Sequence, residues 1–335
     1  MAKYVKHECL ALKHYRGLKF LGVNLATNKM VHILLVIAVV LWGGVFVAYA
    51  YLLPTINATQ IVTIRFALIS ICYLLIFALV KKSRPRVEKR QLGTLFLLGA
   101  LGVPGSQLPA VHAQNYLSPS LASVLITTSP AWTAVFAAWL LRERFKAIQI
   151  LGFIVAFFGA LLVITAGSGT GVLSVDNPWG ATLCLLSPFM WALFTVISKR
   201  ELSDLNPFSS VGICLIAGTL VMVAFLPSAI NDMNLLTASQ WGWMAYTVVG
   251  GTLIPYYIWF WALQRLEASK TIAYMYTVPF AALLWTWIVL SLFPDWWAAF
   301  GGIILIGGVM LTQKSSVTPN DPKSEMTARW RELTK

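Results

Sequence analysis

Apolar residues run through this chain in long blocks, and polar residues fall between the blocks in short clusters. Crossing about 30 Å of hydrocarbon takes a helix of about 20 apolar residues. Ten runs satisfy that length. They lie at 31–53, 58–80, 92–114, 119–141 and 147–165, then at 179–199, 208–227, 240–263, 268–290 and 296–313. The pattern predicts an all-α integral membrane protein with ten transmembrane helices, embedded in a lipid bilayer.

The cations orient these runs. With the N-terminus placed inside, the segments 1–30, 81–91, 142–146, 199–207, 264–270 and 314–335 face the cytoplasm. They hold 6, 6, 3, 2, 2 and 5 Lys plus Arg, which is 24 of the 25 in the chain. The remaining one, Arg65, falls inside the second run. The four outer loops and the turn after the ninth run hold none, in keeping with the bias of cationic loops toward the cytoplasm. A multi-pass protein of the cell membrane with both termini cytoplasmic is expected. Trp179, Trp241, Trp243, Trp296 and Trp297 open runs on the outer side and read as interfacial anchors.

Residue numbers 149 apart repeatedly carry the same residue type. Trp42 pairs with Trp191, Val47 with Val196, Asn57 with Asn206, Gln91 with Gln240, Gly93 with Gly242 and Gly102 with Gly251. The register continues without a gap through Leu117 and Leu266, Ser120 and Ser269, Thr128 and Thr277, Pro130 and Pro279, Gly152 and Gly301, and Gly159 and Gly308. The chain thus divides into an N-terminal extension (1–30), two repeats of five helices (31–165 and 179–313) and a C-terminal tail (314–335). Five is odd, so the second repeat enters the membrane from the opposite side: the halves are inverted repeats, the architecture of alternating-access carriers.

Composition narrows the function classes. With 58% hydrophobic and 11% charged residues, against about 25% charged in soluble domains, the chain is of membrane type. Its net charge of +13 sits in clusters between apolar runs and not along one face, so no nucleic-acid partner is expected. Residues 1–29 are basic but lack the cleavage site of a signal peptide, so the first run is expected to be retained as a helix. Cys9 lies in that basic segment and Cys72, Cys184 and Cys214 lie inside apolar runs. None has CxxC spacing, so neither a metal nor a disulfide is expected, and no cofactor is implied.

Several residues are candidates for a substrate cavity. Pro130 and Pro279 remove backbone donors in the fourth and ninth runs; they read as matched hinges or as static kinks, each beside a hydroxyl, Thr128 or Thr277. The third run contains Gly99, Gly102, Pro104, Gly105 and Pro109, and its counterpart Gly250, Gly251 and Pro255. Such matched interruptions point to a binding region or to close packing, and Gln107 within the first of them has substrate or freed carbonyls as alternative partners. Arg65 is an intramembrane cation, able to meet a substrate carboxylate or to fix backbone oxygens. His112, near the outer end of the third run, can titrate or simply hydrogen-bond. Trp42, Phe46 and Tyr49, then Trp191 and Thr195, share helix faces at steps of three or four, as do Tyr256 with Trp259 and Tyr274 with Thr277. Aromatic walls of this kind suit a ligand with an apolar or cationic part. The glycines Gly152, Gly159, Gly301 and Gly308 read as helix-packing positions.

These motifs resemble the EamA family of the drug/metabolite transporter superfamily. The resemblance covers about residues 31–313. It rests on Trp42-Gly43-Gly44, on Arg65-Phe66, and on the block from Leu117 through Ser129-Pro130 to Leu140-Leu141-Arg142-Glu143-Arg144, followed by Gly152 and Gly159. In the second copy Pro279, Gly301 and Gly308 remain, but Ser291-Leu292-Phe293 replaces Arg142-Glu143-Arg144, which weakens any symmetric role for Glu143. The resemblance implies a ten-helix carrier with a central cavity built mainly by spans one, three, four, six, eight and nine, often exporting amino acids or other metabolites. The leading function is therefore alternating-access transport of a small molecule such as an amino acid or organic cation, with efflux favoured. A single intramembrane cation argues against phosphate esters. The alternatives are a membrane-embedded transferase, which would want paired carboxylates or a His with an acidic partner, and a channel or adaptor. Pairing with a second copy is left open, as is a short helix at Thr327–Leu333 in the tail.

Overall fold

A computed structural model describes residues 22–80, 89–116, 125–166, 178–203, 205–291 and 296–313. The N-terminal segment through residue 21, the tail from 314 with its expected helix at Thr327–Leu333, and Cys9, Leu117, Ser120, Leu292 and Phe293 lie outside the described residues. Those described are helical, with no strand among them.

A helical segment occupies each of the ten apolar runs. They are α1 (Gly22–Leu52), α2 (Ala58–Leu79), α3 (Lys89–Ala100) continuing through a π-helical turn (Leu101–Gly105) into α4 (Ser106–Ala113), α5 (Ser129–Leu140) and α6 (Ala147–Ala166). The second half has α7 (Pro178–Glu201), α8 (Pro207–Val221) followed by α9 (Leu226–Asp232), α10 (Ala238–Val248), a second π-helical turn (Val249–Leu253) and α11 (Ile254–Leu263). It ends with α12 (Ala268–Ala273), a 3₁₀ turn (Tyr274–Thr277), α13 (Val278–Leu290) and α14 (Trp296–Gln313). Among the described residues five helical stretches are long and apolar enough to cross a membrane: Lys29–Leu52, Ala58–Leu79, Gln91–Ala113, Pro178–Glu201 and Ala268–Val289. Pro207–Val221 and Val223–Leu235 reach that length only when taken together, and they are bent by 58° at the break between them. The bend falls within the run at 208–227. Pro227, the second residue of α9, cannot donate to the preceding turn, so the helix restarts there.

The duplication is visible in local geometry. Asn57 and Asn206 both cap helices, accepting backbone N–H groups of Gln60 and of Phe208 and Ser209, which satisfies donors that a helix start leaves free. Thr128 and Thr277 both precede a helix with proline at its second position, and both hydroxyls donate to the carbonyl three residues back, at 2.7 Å. Before Pro130 the helix is interrupted by a turn at 127–128, whereas before Pro279 a 3₁₀ turn carries the helical stretch Ala268–Val289 through without a gap. Arg142 and Ser291, 149 apart, both adopt φ 56°. The two π turns begin at Leu101 and Val249.

Packing between the halves follows the same pairing rule. Span three (α3, α4) packs on α7 as α11 packs on α1; α5 packs on α7 as α13 packs on α1. Span three meets α8 as α10 meets α2, while α2 with α8 and α6 with α14 pair across the axis. Exchanging the halves maps this pattern onto itself. In the α6–α14 pair the helices touch backbone to backbone. A Cβ on Gly159 would lie 2.7 Å from Leu305 Cα, and one on Gly308 would lie 2.7 Å from Ala156 Cα. Only glycine allows so close an approach. Outward faces are apolar, as at Leu75, Phe158, Ile288 and Ile303. Of the anchor tryptophans, Trp179, Trp296 and Trp297 are exposed, whereas Trp243 stacks on Tyr51 with ring centroids 5.1 Å apart.

Candidate functional site

The site begins with a missing hydrogen bond. In an α-helix the N–H of residue 255 would donate to the carbonyl of residue 251, but Pro255 has no N–H. The Gly251 carbonyl is therefore freed inside the π turn, and two side chains from the first half take it. Arg65 Nη2 donates to it at 2.8 Å and Trp42 Nε1 at 3.0 Å. The remaining guanidinium bonds run from Nε to Thr252 Oγ1 at 2.7 Å, and from Nη1 to the Tyr49 hydroxyl and to Gln107 Oε1, the latter at 3.4 Å. Arg65 is 2% exposed. It bonds one backbone oxygen, that of Gly251, and borders a cavity.

That cavity has room of about 110 Å³ for the centres of water molecules. Its lining comes from α1, α2, α4, α5, α7, α11 and the start of α13, with Gln114 just past α4, Ile126 ahead of the turn before α5 and Met275 in the 3₁₀ turn before α13. Four pairs of lining residues are 149 apart: Trp42 and Trp191, Gln107 and Tyr256, Ile126 and Met275, Ser129 and Val278. The cavity therefore lies on the pseudo-two-fold axis. Trp42, Trp191, Tyr256 and Trp259 form one aromatic cluster. The Trp42 ring is 5.7 Å from Trp191 and 5.3 Å from Trp259, and Trp191 is 5.4 Å from Tyr256. These are favourable separations for aromatic pairs. Arg65 breaks the symmetry, because the residue 149 further on is Cys214. The tryptophans differ too: Trp42 Nε1 has its carbonyl, but among the described residues Trp191 Nε1 has no partner, and neither do Tyr256 Oη and Ser129 Oγ.

Of the residues expected at the site, the structure brings Trp42, Phe46, Tyr49, Arg65, Gln107, Trp191 and Tyr256 to the cavity wall. Thr128 and Thr277 turn back on their own chain, and buried Thr195 is not part of the lining. His112 Nε2 meets Thr59 Oγ1 at 2.8 Å, and Tyr274 Oη meets His32 Nδ1 at 2.6 Å, so both are engaged elsewhere. Pro130 and Pro279 sit one residue after Ser129 and Val278, which line the wall. The lining also includes Ser106, Gln114 and Ser187, which the sequence did not single out, and Ser129, which it singled out only as part of the Ser129-Pro130 motif. The signal for three of these was local: Ser129 and Ser187 each precede a proline, and Ser106 lies between Pro104 and Pro109.

A second polar cluster lies at the end of the bundle that carries Arg142, Lys199 and Lys270. Glu143 is 9% exposed. Its carboxylate accepts Ala268 N at 2.8 Å, Ser269 N at 3.3 Å and Ser269 Oγ at 2.5 Å. Lys199 Nζ donates to the carbonyls of Leu263 and Leu266, and Lys270 pairs with Glu267 at 3.3 Å. Burial raises the Glu267 carboxyl above its ordinary range, against the opposing pull of Lys270, because a half-buried carboxylate loses hydration. Among the described residues no group of His, Cys, Asp and Glu is placed to hold a metal ion.

The model of the EamA-like transporter family matches residues 29–165 and 178–313, one match for each half. The chain belongs to the EamA-like transporter family. An uncharacterized transporter of Archaeoglobus fulgidus is 27% identical over 256 residues, which is 75% of this chain and 87% of that protein. The uncharacterized transporter YdfC of Bacillus subtilis is 25% identical, over 81% of this chain and 87% of its own. A probable terminal-alkyne amino-acid exporter of Streptantibioticus cattleyicolor is also 25% identical, over 84% and 93%. A solved crystal structure shares the fold with a TM-score of 0.67 at 16% identity, covering 84% of this chain and 96% of that one. In this EamA-like chain the Trp42-Gly43-Gly44 motif lets α1 approach α13: a Cβ on Gly43 would lie 2.6 Å from the Ala281 backbone. The glycine supplies contact and the tryptophan supplies cavity wall.

Proposed function

We propose that this EamA-like transporter is an alternating-access exporter of a small metabolite, of the amino-acid or organic-cation type, in the cell membrane with both termini in the cytoplasm. The observation that carries the reading is the cavity on the pseudo-two-fold axis, walled by equivalent residues of both halves. Exchange of the two halves' conformations moves such a cavity from one membrane face to the other. Its lining draws on the C-terminal part of α1 and on α4, away from the end where Glu143 and Lys199 tie loops to helix ends. With the basic loops inside, that arrangement corresponds to a carrier sealed toward the cytoplasm. Likeness to a protein named as an amino-acid exporter supports both the substrate type and the direction.

The test is counterflow in liposomes with the purified chain, preloading unlabelled compound and following uptake of labelled amino acids and labelled organic cations. Accumulation that depends on preload is expected for one of the two classes. A folded protein that moves neither overturns the proposal.

A further inference from the structure

We propose that the axial cavity recognises a carboxylate, held by the Arg65 guanidinium together with Trp191 Nε1, Tyr256 Oη and Ser129 Oγ. The inference deepens the carrier reading and rests on it only in calling the occupant a transported substrate.

A guanidinium is a permanent cation in proteins, and that of Arg65 is buried. All four of its acceptors are neutral: two hydroxyls, a backbone carbonyl and an amide oxygen. Among the described residues no acid forms an ion pair with it. A buried cation among neutral dipoles retains most of its desolvation cost, and an anion brought to it recovers that cost. The guanidinium also has a replaceable partner. Its 3.4 Å bond to Gln107 is the longest of the set, and Gln107 faces the cavity.

Three buried polar atoms of lining residues have no partner among the described residues: Trp191 Nε1, Tyr256 Oη and Ser129 Oγ. An indole N–H can only donate, and either hydroxyl can. The repeat mate of Trp191 has found a carbonyl, so the vacancy at Trp191 is specific to this side of the cavity. The site therefore offers one positive charge and up to three donors, and asks for a group rich in acceptors. A carboxylate has two oxygens with about four lone-pair positions. A phosphate dianion would need a second cation, which the wall lacks. An organic cation would meet the guanidinium and the indole N–H head on. The faces of Trp42 and Trp191 take the apolar body, and an α-ammonium can lie over them.

The experiment compares L-phenylalanine, 3-phenylpropionate and phenethylamine, which share the apolar body and differ in the charged group. Binding is read by calorimetry and thermal stabilisation of the full chain in detergent, and transport by counterflow. Both acids are expected to bind and the amine is not. Gln107→Glu gives Arg65 an internal carboxylate. It should keep the melting temperature while weakening acid binding by about tenfold or more, the scale of one hydrogen bond to a charged group. Trp191→Phe and Tyr256→Phe should each weaken it several-fold. Amine binding at least as tight as acid binding, acid binding unchanged by Gln107→Glu, or no binding of any acid overturns the proposal. So does stabilisation by chloride alone, which assigns the subsite to an inorganic anion. Acid binding without counterflow leaves the carboxylate site standing and removes the carrier reading. Counterflow of phenethylamine alone does the reverse.

Discussion

Tryptophans do two different jobs in this chain, and their burial separates them. Trp42 and Trp191 are 9% and 5% exposed and wall the cavity, whereas Trp296 is 61% exposed on the outer surface. Trp42→Ala and Trp191→Ala should each lower counterflow by roughly tenfold or more, since each removes a wall face and Trp42→Ala also strips a donor from Gly251. Trp296→Ala should change it by less than about twofold. Equal losses in liposomes would dissociate the aromatic cluster from transport. Arg142 presents the opposite case, a residue working against its own backbone, which adopts φ 56°. An L side chain in that left-handed region costs about 1 kcal/mol relative to glycine. Arg142→Gly should therefore raise the melting temperature by a few degrees, and an unchanged or lower value would show that the arginine side chain compensates. The aromatic wall was legible in the sequence because Trp42 and Trp191 are both repeated and spaced with other aromatics. Tyr274 has the same spacing yet bonds to His32, 242 residues away. Helical periodicity gives a face, and only tertiary packing decides what the face meets.

At the level of elements, the Gly and Pro clusters were visible as interruptions but their hydrogen-bond register was not. A π turn depends on which carbonyl loses its donor and what takes that carbonyl instead. For Gly251 the takers are Arg65 and Trp42, both from the other repeat. Pro130 and Pro279 each follow a turn closed by a threonine hydroxyl, Thr128 or Thr277; at Pro130 the helix is interrupted, and at Pro279 it tightens to 3₁₀ and continues. This logic predicts the effect of Pro255→Ala. Alanine restores an N–H that can reclaim the Gly251 carbonyl and straighten α10 into α11. Arg65 and Trp42 then lose their anchor. Counterflow should fall several-fold while the melting temperature holds or rises, since the change relieves a helix defect. A fall in both would mean that the π turn is required for packing and not for the site.

For the whole molecule, the repeat predicts two equivalent end seals, and the sequence does not repeat the carboxylate of Glu143 at the matching position. Glu143 ties the connection between α5 and α6 to the start of α12 through three hydrogen bonds. Its counterpart 149 residues on is Leu292, whose side chain carries no carboxylate. In an alternating-access cycle the two seals open in turn, so a latch at one end favours the state closed there. Hydrogen bonds to a charged acceptor contribute about 1.5–3 kcal/mol each, and Glu143→Gln keeps a neutral amide oxygen in their place. A shift of about 1.4 kcal/mol or more, tenfold in the equilibrium, toward the state open at that end is expected. It can be read with Met275→Cys at the cavity, in a background where the native cysteines are replaced, by an impermeant thiol reagent applied to either face of oriented vesicles. The parent should label faster from the face remote from Arg142 and Lys199. Glu143→Gln should raise labelling from the near face and lower it from the far one. If both rates stay where they were, the carboxylate only caps a helix, and the asymmetry of the two ends has no part in setting which way the carrier rests.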